Sequence, residues 1–370
     1  MATAMDHWRT NIILRSEFEE IKSDEIKINN GIFQGDSFSP LLFCLALAPL
    51  SHQLKKSECG YDVNTVKISH LFFMDDLKLY GRNDAQLESL LHTVAKFSKD
   101  IKMNFGLDKC AKATFIRGKL EKSTNIELDR DTTIKDLDQE EFYKYLGVRE
   151  KDGIQHPKMK ELIRKEYYRR VRMVLKSELN TQNKINAINT FAVPVVSYSL
   201  NIINWTVDDL KRIDRKTRKF LTMYRTHHPK SDVDRLYLTR QVGGRGLLQI
   251  EMSYKLATVG LRKYLEEKDD PFIKAVNHHE STKKKYSVVK EARKFEKNLV
   301  INEERENGKA VTDNVRKYKM EVKKNLMATM KEKWEEKQLH GQYPKRLNKA
   351  DTDRDNTNRW LRSSGLKGET

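Results

Sequence analysis

"VKISHLFFMDDLKLYGRND", Val66 to Asp84, sets two adjacent aspartates between two apolar, β-leaning runs. Leu71, Phe72, Phe73 and Met74 precede Asp75 and Asp76; Leu77, Leu79 and Tyr80 follow. The pattern predicts two strands joined by a tight turn at the acidic pair. Neighbouring side chains on a strand point to opposite faces, but in a tight turn both can converge. Two carboxylates forced together repel unless a cation lies between them. Magnesium prefers one or two carboxylates plus substrate phosphates, which is what two-metal phosphoryl transfer requires. The plain alternative is a surface turn, since Asp is a common turn residue. The flanks are too apolar for an idle surface hairpin.

Upstream lies "GIFQGDSFSPLLF", Gly31 to Phe43. The alternating "IKINNGIF" before it reads as a strand. "SPLLFCLALAPLSHQLKK" after it reads as a helix, with Ser39 a good N-cap and Pro40 suited to the first turn. That helix is apolar nearly all round until Ser51, so burial is expected. Pro49 is expected to kink or end it. Between strand and helix, Gly35 lets backbone approach a ligand closely. Helix N-terminal amides favour an anion nearby, and Gln34 offers both a donor and an acceptor. An ordinary strand–turn–helix connection explains this stretch about as well.

Downstream, a helix is predicted from Asp84 to Lys102, with Leu87, Leu90, Leu91, Val94 and Phe97 at helical spacing. "KATFIRG" and "YKYLGV" read as short strands. From His156 the character changes. Met159, Leu162, Ile163, Tyr167, Val171, Val174, Leu175 and Leu179 form one apolar stripe, and Lys158, Lys160, Arg164, Lys165, Arg169, Arg170, Arg172 and Lys176 decorate the rest. "NKINAINTFAVPVVSYSL" is a second helix, interrupted at Pro194. A third starts at Thr206 with Asp209 three residues on, a spacing that resembles a capping box. "HHPKSDVDRLYLTRQVGGRGLL" reads as a loop. Its Gly243–Gly246 cluster lacks the Lys-Ser/Thr of a phosphate loop and is taken as a structural turn. His227 and His228 have no second pair at ligand spacing. From Ser281 to Ala350 Lys and Arg outnumber Asp and Glu two to one, which reads as long solvated helices.

Composition fits this picture. The chain has 370 residues and a formal net charge of +18, with 38% hydrophobic and 34% charged residues. Such an excess favours an anionic polymer, nucleic acid first. No apolar run approaches a membrane span, and the N-terminus lacks the pattern of a signal peptide. Cys44, Cys59 and Cys110 fit neither a disulfide framework nor a zinc pattern, which points to a reducing, intracellular compartment, nuclear or cytoplasmic. Nothing signals an oligomer.

In this order, "QGDSFSPLLF" and "FFMDD" resemble the reverse transcriptase palm. The first looks like the element beside the templating base and incoming nucleotide, the second like its F/Y-x-D-D hairpin. "FGLDKCAKATFIRG" is similar to the next palm segment and "YKYLGV" to the primer-grip hairpin. "HHPKSDVDRLYLTRQVGGRGL" and "HGQYPKR…WLRSSGLKGET" look like non-LTR retrotransposon polymerases. The resemblance implies an α+β fold: a partial right-hand polymerase palm with an antiparallel sheet over 1–150, a helical thumb-like region over 151–230, and a basic helical post-thumb linker over 231–370. It implies RNA-directed DNA polymerisation, with RNA template, DNA primer or target and dNTP as partners and Mg2+ held by Asp75 and Asp76. Gln34, Gly35, Asp36, Phe73 and Met74 would contact template and nucleotide. Lys109 matches a lysine proposed to protonate departing pyrophosphate. Tyr145, Leu146 and Gly147 would grip the primer. Lys158, Lys160, Arg164, Lys165, Arg169, Arg170 and Arg172 would track the nucleic-acid backbone.

The family's palm also carries an aspartate in an F-x-D-x-x-K-A-F-D-like pattern upstream of QGD. Asp6, in "AMDHW", lacks the apolar strand before it and the Lys-Ala-Phe after it. One carboxylate short, the chain is expected to bind the metal pair weakly and to polymerise poorly alone, as a middle slice of a polyprotein or a decayed copy. The rival expectation is a non-catalytic nucleic-acid-binding relic or domesticated protein. A nuclease built on the paired aspartates is disfavoured, because no His or further acidic cluster accompanies them.

Overall fold

The computed structural model describes residues 7–359 apart from 17–18, 29–30, 65, 105, 130–131, 138–141, 285, 298 and 300–310. Asp6 and the tail from Trp360 onward lie outside the described residues. The fold is α+β and forms two compact units, Met1–Ala113 with Ser123–Asp136, and Thr114–Lys122 with Leu137–Thr370.

In the first unit, β1 (Arg9–Thr10) pairs with β4 (Ile26–Lys27), and β2 (Ile13–Arg15) with β3 (Glu20–Lys22). β5 (Tyr61–Val63) pairs with β6 (Val66–Ile68), β7 (His70–Phe73) with β8 (Asp76–Leu79), and β11 (Ile126–Asp129) with β12 (Thr132–Ile134). Every ladder is antiparallel and, among the described residues, two-stranded. The antiparallel sheet expected from the resemblance is, among the described residues, a set of separate hairpins. Among the described residues of "IKINNGIF", Ile26–Lys27 form β4, and Gly31 has φ +93°, outside the extended conformation.

Two helices build this unit's core. α1 (Ser39–Lys56) sets Leu50 and Leu54 against Leu90 and Val94 of α2 (Asp84–Asp100). Phe72, Leu77 and Leu79 of the β7–β8 hairpin pack on the same cluster. Each such leucine contributes about 1.5–3 kcal/mol of burial. Leu91 turns the other way, onto Ile126, Leu128 and Ile134. Asn83 caps α2 by accepting from Gln86 N.

α1 departs from expectation three times. Ser39 is its first helical residue, not its cap; Phe38 holds the cap position and Asp36 Oδ1 accepts from Phe38 N at 3.2 Å. The helix runs through Pro49, because Pro49 and Leu45 lie on the solvent side, where water can take the bond that proline cannot donate. It is also far from buried: Leu41 is 52% exposed and Leu45 55%. Two-stranded ladders cover one face of a helix, and this one is apolar on more than one.

The second unit contains two hairpins, β9 (Thr114–Ile116) with β10 (Lys119–Glu121) and β13 (Tyr143–Tyr145) with β14 (Val148–Glu150). The rest is helical. α3 (His156–Lys176) buries Met159, Tyr167, Val171 and Leu175 but leaves Leu162 exposed, and Leu179 lies beyond its end. α4 (Thr181–Ala187) passes through a π-turn at Ile188–Ala192 into α5 (Val193–Ser197). The wider turn accommodates the donor that Pro194 lacks. α6 (Val207–Met223) opens with the full capping box of Thr206 and Asp209 and buries Leu210, Ile213, Thr217, Phe220 and Leu221.

The glycine-bearing segment is partly helical, containing α7 (Val233–Tyr237) and a 3-10 turn at Arg240–Val242. A Cβ on Gly244 would stand 2.1 Å from Leu238 O, so only glycine closes this turn. Asn189, in the π-turn, pins it, donating to Gly246 O at 2.8 Å and accepting from Leu248 N at 2.9 Å. α8 (Ile250–Glu267) then joins the core through Ile250 and Tyr254.

The polar region beyond is also packed. α9 (Pro271–Thr282), α10 (Val288–Glu296) and α11 (Val311–Glu336) follow, and Val259 of α8 meets Ala292 of α10 and Tyr318 and Val322 of α11. These helices are not solvated all round: a narrow apolar stripe buries, while the basic residues that dominate their composition face outward. Lys337 reaches back to Asp232 at 2.5 Å and Asp234 at 2.6 Å.

Candidate active site

Gln34 and Gly35 form an exposed turn before α1, and Gly35 has φ +92°, a conformation glycine adopts without strain. Trp8 lies against Phe33, ring centroids 4.6 Å apart, just before it. Asp36 is exposed and its side chain is spent on Phe38 N.

Phe73 pairs with Asp76, so Met74 and Asp75 alone make the turn of the β7–β8 hairpin. Met74 carries φ +53°, the left-handed conformation that short hairpin turns demand. Asp75 and Asp76 are both exposed at this tip, beside Phe73 and Met74, which are 58% and 45% exposed. The tip is tied to α1: Cys44 Sγ lies 4.0 Å from Met74 Sδ. Among the described residues no group of three His, Cys, Asp or Glu side chains gathers as a metal site. Lys109 ends a 3-10 turn at Leu107–Lys109 in the same unit.

One residue at the hairpin escaped sequence reading. His70 Nε2 lies 2.8 Å from Ser51 Oγ on α1, and its Nδ1 lies 2.8 Å from Ser69 Oγ. Burial, then Lys55, lowers its pKa, so the neutral ring donates to one hydroxyl and accepts from the other. His70 thus fastens the base of the hairpin to the helix that follows the Gln34 turn. The signals were a histidine heading an apolar strand and a serine breaking an apolar helix.

In the second unit, Leu146 and Gly147 join β13 to β14 with φ +46° and +79°, the pattern of a type I′ turn. Tyr198 Oη donates to Leu146 O at 2.8 Å and fixes the turn against the segment after α5. Tyr145 is half-buried.

The seven basic positions of α3 divide. Lys160 pairs with Asp209 at 2.8 Å. Burial alone would raise the Asp209 pKa, but the bonds from Lys160 and Thr206 outweigh it and lower it. Arg169 and Arg170 both grip Glu166 at 2.7 Å and draw its pKa down to about 2. Arg164 Nε donates to Lys160 O. Lys158 lies 4.2 Å over the Phe142 ring, and Arg172 5.6 Å from the Phe220 ring. Lys158, Lys165 and Arg172 are exposed. Part of the basic face therefore serves its own unit. A second exposed set lies on α6, at Lys211, Arg212, Arg215, Lys216 and Lys219. Its signal was the run of charges between the apolar positions of that helix.

With this geometry, residues 2–149 match the family described as reverse transcriptase (RNA-dependent DNA polymerase). Over that stretch the chain is similar to reverse transcriptases, and its relatives below are non-LTR retrotransposon polyproteins. It is 26% identical over 264 residues to a Pol polyprotein from the retrotransposable element R2 of Popillia japonica, which covers 70% of this chain and 42% of the relative. It is 24% identical over 203 residues to the Drosophila melanogaster counterpart, element R2DM, covering 54% of this chain and 19% of the relative. With the Bradysia coprophila R2 polyprotein it shares 24% over 242 residues, 64% of this chain and 27% of the relative. The chain thus spans less than half the length of these curated relatives.

Proposed function

We propose that this chain contributes the palm, over 1–150, the thumb, over 151–230, and the post-thumb linker, over 231–370, of an RNA-directed DNA polymerase. The reaction would add deoxynucleotides to a primer 3′-hydroxyl on an RNA template, in an intracellular compartment. The observation that carries this reading is the two-residue turn that leaves Asp75 and Asp76 exposed at the tip of an anchored hairpin. All three cysteines are free, which suits a reducing compartment.

Two adjacent, solvent-facing carboxylates fit the donor set of a hard divalent cation that also binds substrate phosphates. Bound Mg2+ would neutralise phosphate charge and lower the pKa of the attacking hydroxyl. Asp75 and Asp76 would hold it. The backbone at Gly35 would approach the nascent base pair, with Gln34 and Asp36 flanking it, while Phe73 and Met74 offer apolar surface to the nucleotide. Lys109 would give its proton to departing pyrophosphate. Tyr145, Leu146 and Gly147 would position the primer strand. Lys158, Lys165 and Arg172, with Lys160, Arg164, Arg169 and Arg170 ordering the same helix, would meet the duplex backbone.

The test is primer extension on an RNA template with Mg2+, comparing the wild type with Asp75→Asn/Asp76→Asn. The expected result is extension lost in the double variant with hybrid affinity retained. Equal extension by both proteins would remove the assigned role. Hybrid binding without extension by either would favour the non-catalytic binder, a reading supported by the exposed charges of α3 and α6.

A further inference from the structure

We propose that the cleft between the end of α6 and the loop from His227 to Val233 is a phosphate subsite that grips the backbone of bound nucleic acid. The inference rests on the polymerase reading and adds to it a contact outside the palm hairpin and outside α3. The cavity measures about 370 Å³, and Arg218, Lys219, Thr222, His227 and Ser231 supply its polar lining; no carboxylate lines it. A guanidinium, an ammonium and two hydroxyls are the donor types that meet phosphate oxygens in protein–nucleic acid contacts.

The acids nearest in sequence are already engaged. Asp232 and Asp234 hold Lys337. Asp214, one turn before Arg218 on α6, is buried and accepts from Ile250 N and Glu251 N. None of these three carboxylates lines the cleft. Arg218 is fixed by donating from Nη1 to Tyr237 Oη at 2.7 Å, which uses one of its five N–H donors. Lys219 is exposed and has no carboxylate partner among the described residues. The His227 imidazole registers this concentration of charge: burial lowers its pKa first, followed by Arg245, Arg218, His228 and Arg235. A phosphate in the cleft would favour the charged ring and oppose that shift. The cleft also continues the exposed row of Lys211 and Arg215, which stand at helical spacing before Lys219, so a backbone lying along α6 would end in it.

The experiment is fluorescence anisotropy of a labelled RNA–DNA hybrid duplex, read as affinity against salt. Four proteins are compared: wild type, Lys219→Glu, Lys219→Arg and Lys268→Glu, the last an exposed charge that does not line the cleft. One lost phosphate contact should reduce the slope of log affinity against log salt by about 0.9. Lys219→Glu should show that loss, Lys219→Arg should keep the wild-type slope, and Lys268→Glu should stay close to wild type. An unchanged slope in Lys219→Glu overturns the subsite, as does an equal loss in Lys268→Glu, which would report total charge only. Failure of the wild type to bind the hybrid overturns the polymerase reading and the subsite together.

Discussion

Replacing Asp214 with asparagine removes a charge that burial already disfavours. The carboxyl is 3% exposed, and its pKa is pushed up to about 6 by desolvation, against the pull of Ile250 N, Glu251 N and Arg218. A folded-state value above the unfolded 3.8 gives Asp214 a contribution that is complete at low pH and is lost as pH rises through about 6. From those two values the loss between about pH 5 and about pH 7.5 is roughly 1.4 kcal/mol. Asparagine does not titrate, so Asp214→Asn lacks that decline. Its amide nitrogen cannot accept, so one of the two amides at the start of α8 loses its partner, at about 1–3 kcal/mol. The wild type should therefore be the more stable protein near pH 5, and the gap should narrow by roughly 1.4 kcal/mol toward pH 7.5. Urea unfolding, followed by the fluorescence of buried Trp205 and Trp334, measures both quantities. A gap that stays constant across this range would refute the assignment of the raised pKa to Asp214.

Two further outcomes follow from close contacts. Gly244→Ala sets a Cβ against Leu238 O and should cost on the order of 3 kcal/mol or more, read as a drop in Tm or in soluble yield. Tyr198→Phe removes the bond to Leu146 O and should cost about 0.5–1.5 kcal/mol. It should also speed amide exchange at the Leu146–Gly147 turn, and unchanged exchange would show that the turn holds itself.

The hairpin was more legible than the packing around it. The apolar runs on either side of Asp75 and Asp76 declare a hairpin through local chemistry alone, although its turn is Met74–Asp75, one residue before the acidic pair. The same holds for the Thr206 cap and for the interruption at Pro194. What failed depended on partners distant in sequence. The run from Ser39 to Ser51 is apolar all round, which predicts burial only if something covers every face. His70 looked like a strand residue until Ser51 stood opposite it. The basic stripe of α3 could not show that Arg169 and Arg170 close on Glu166, a choice made by side-chain geometry. In the last third, high charge hid a thin apolar seam of Val259, Ala292, Tyr318 and Val322 that few residues suffice to make.

Lys337 makes the C-terminal helices a clasp rather than an appendage. It reaches Asp232 and Asp234 across more than a hundred residues of chain, and closing a loop of that length costs on the order of 4 kcal/mol in chain entropy. The seam between α8, α10 and α11, with the Arg235 guanidinium over the Tyr343 ring, brings the two ends together. A fragment ended after Asp234 but before Lys337 forfeits the counter-ion of Asp232, which is 6% exposed. Expression boundaries drawn where the composition turns polar would therefore cut through a folded body, and trimmed versions should be degraded sooner than their length suggests.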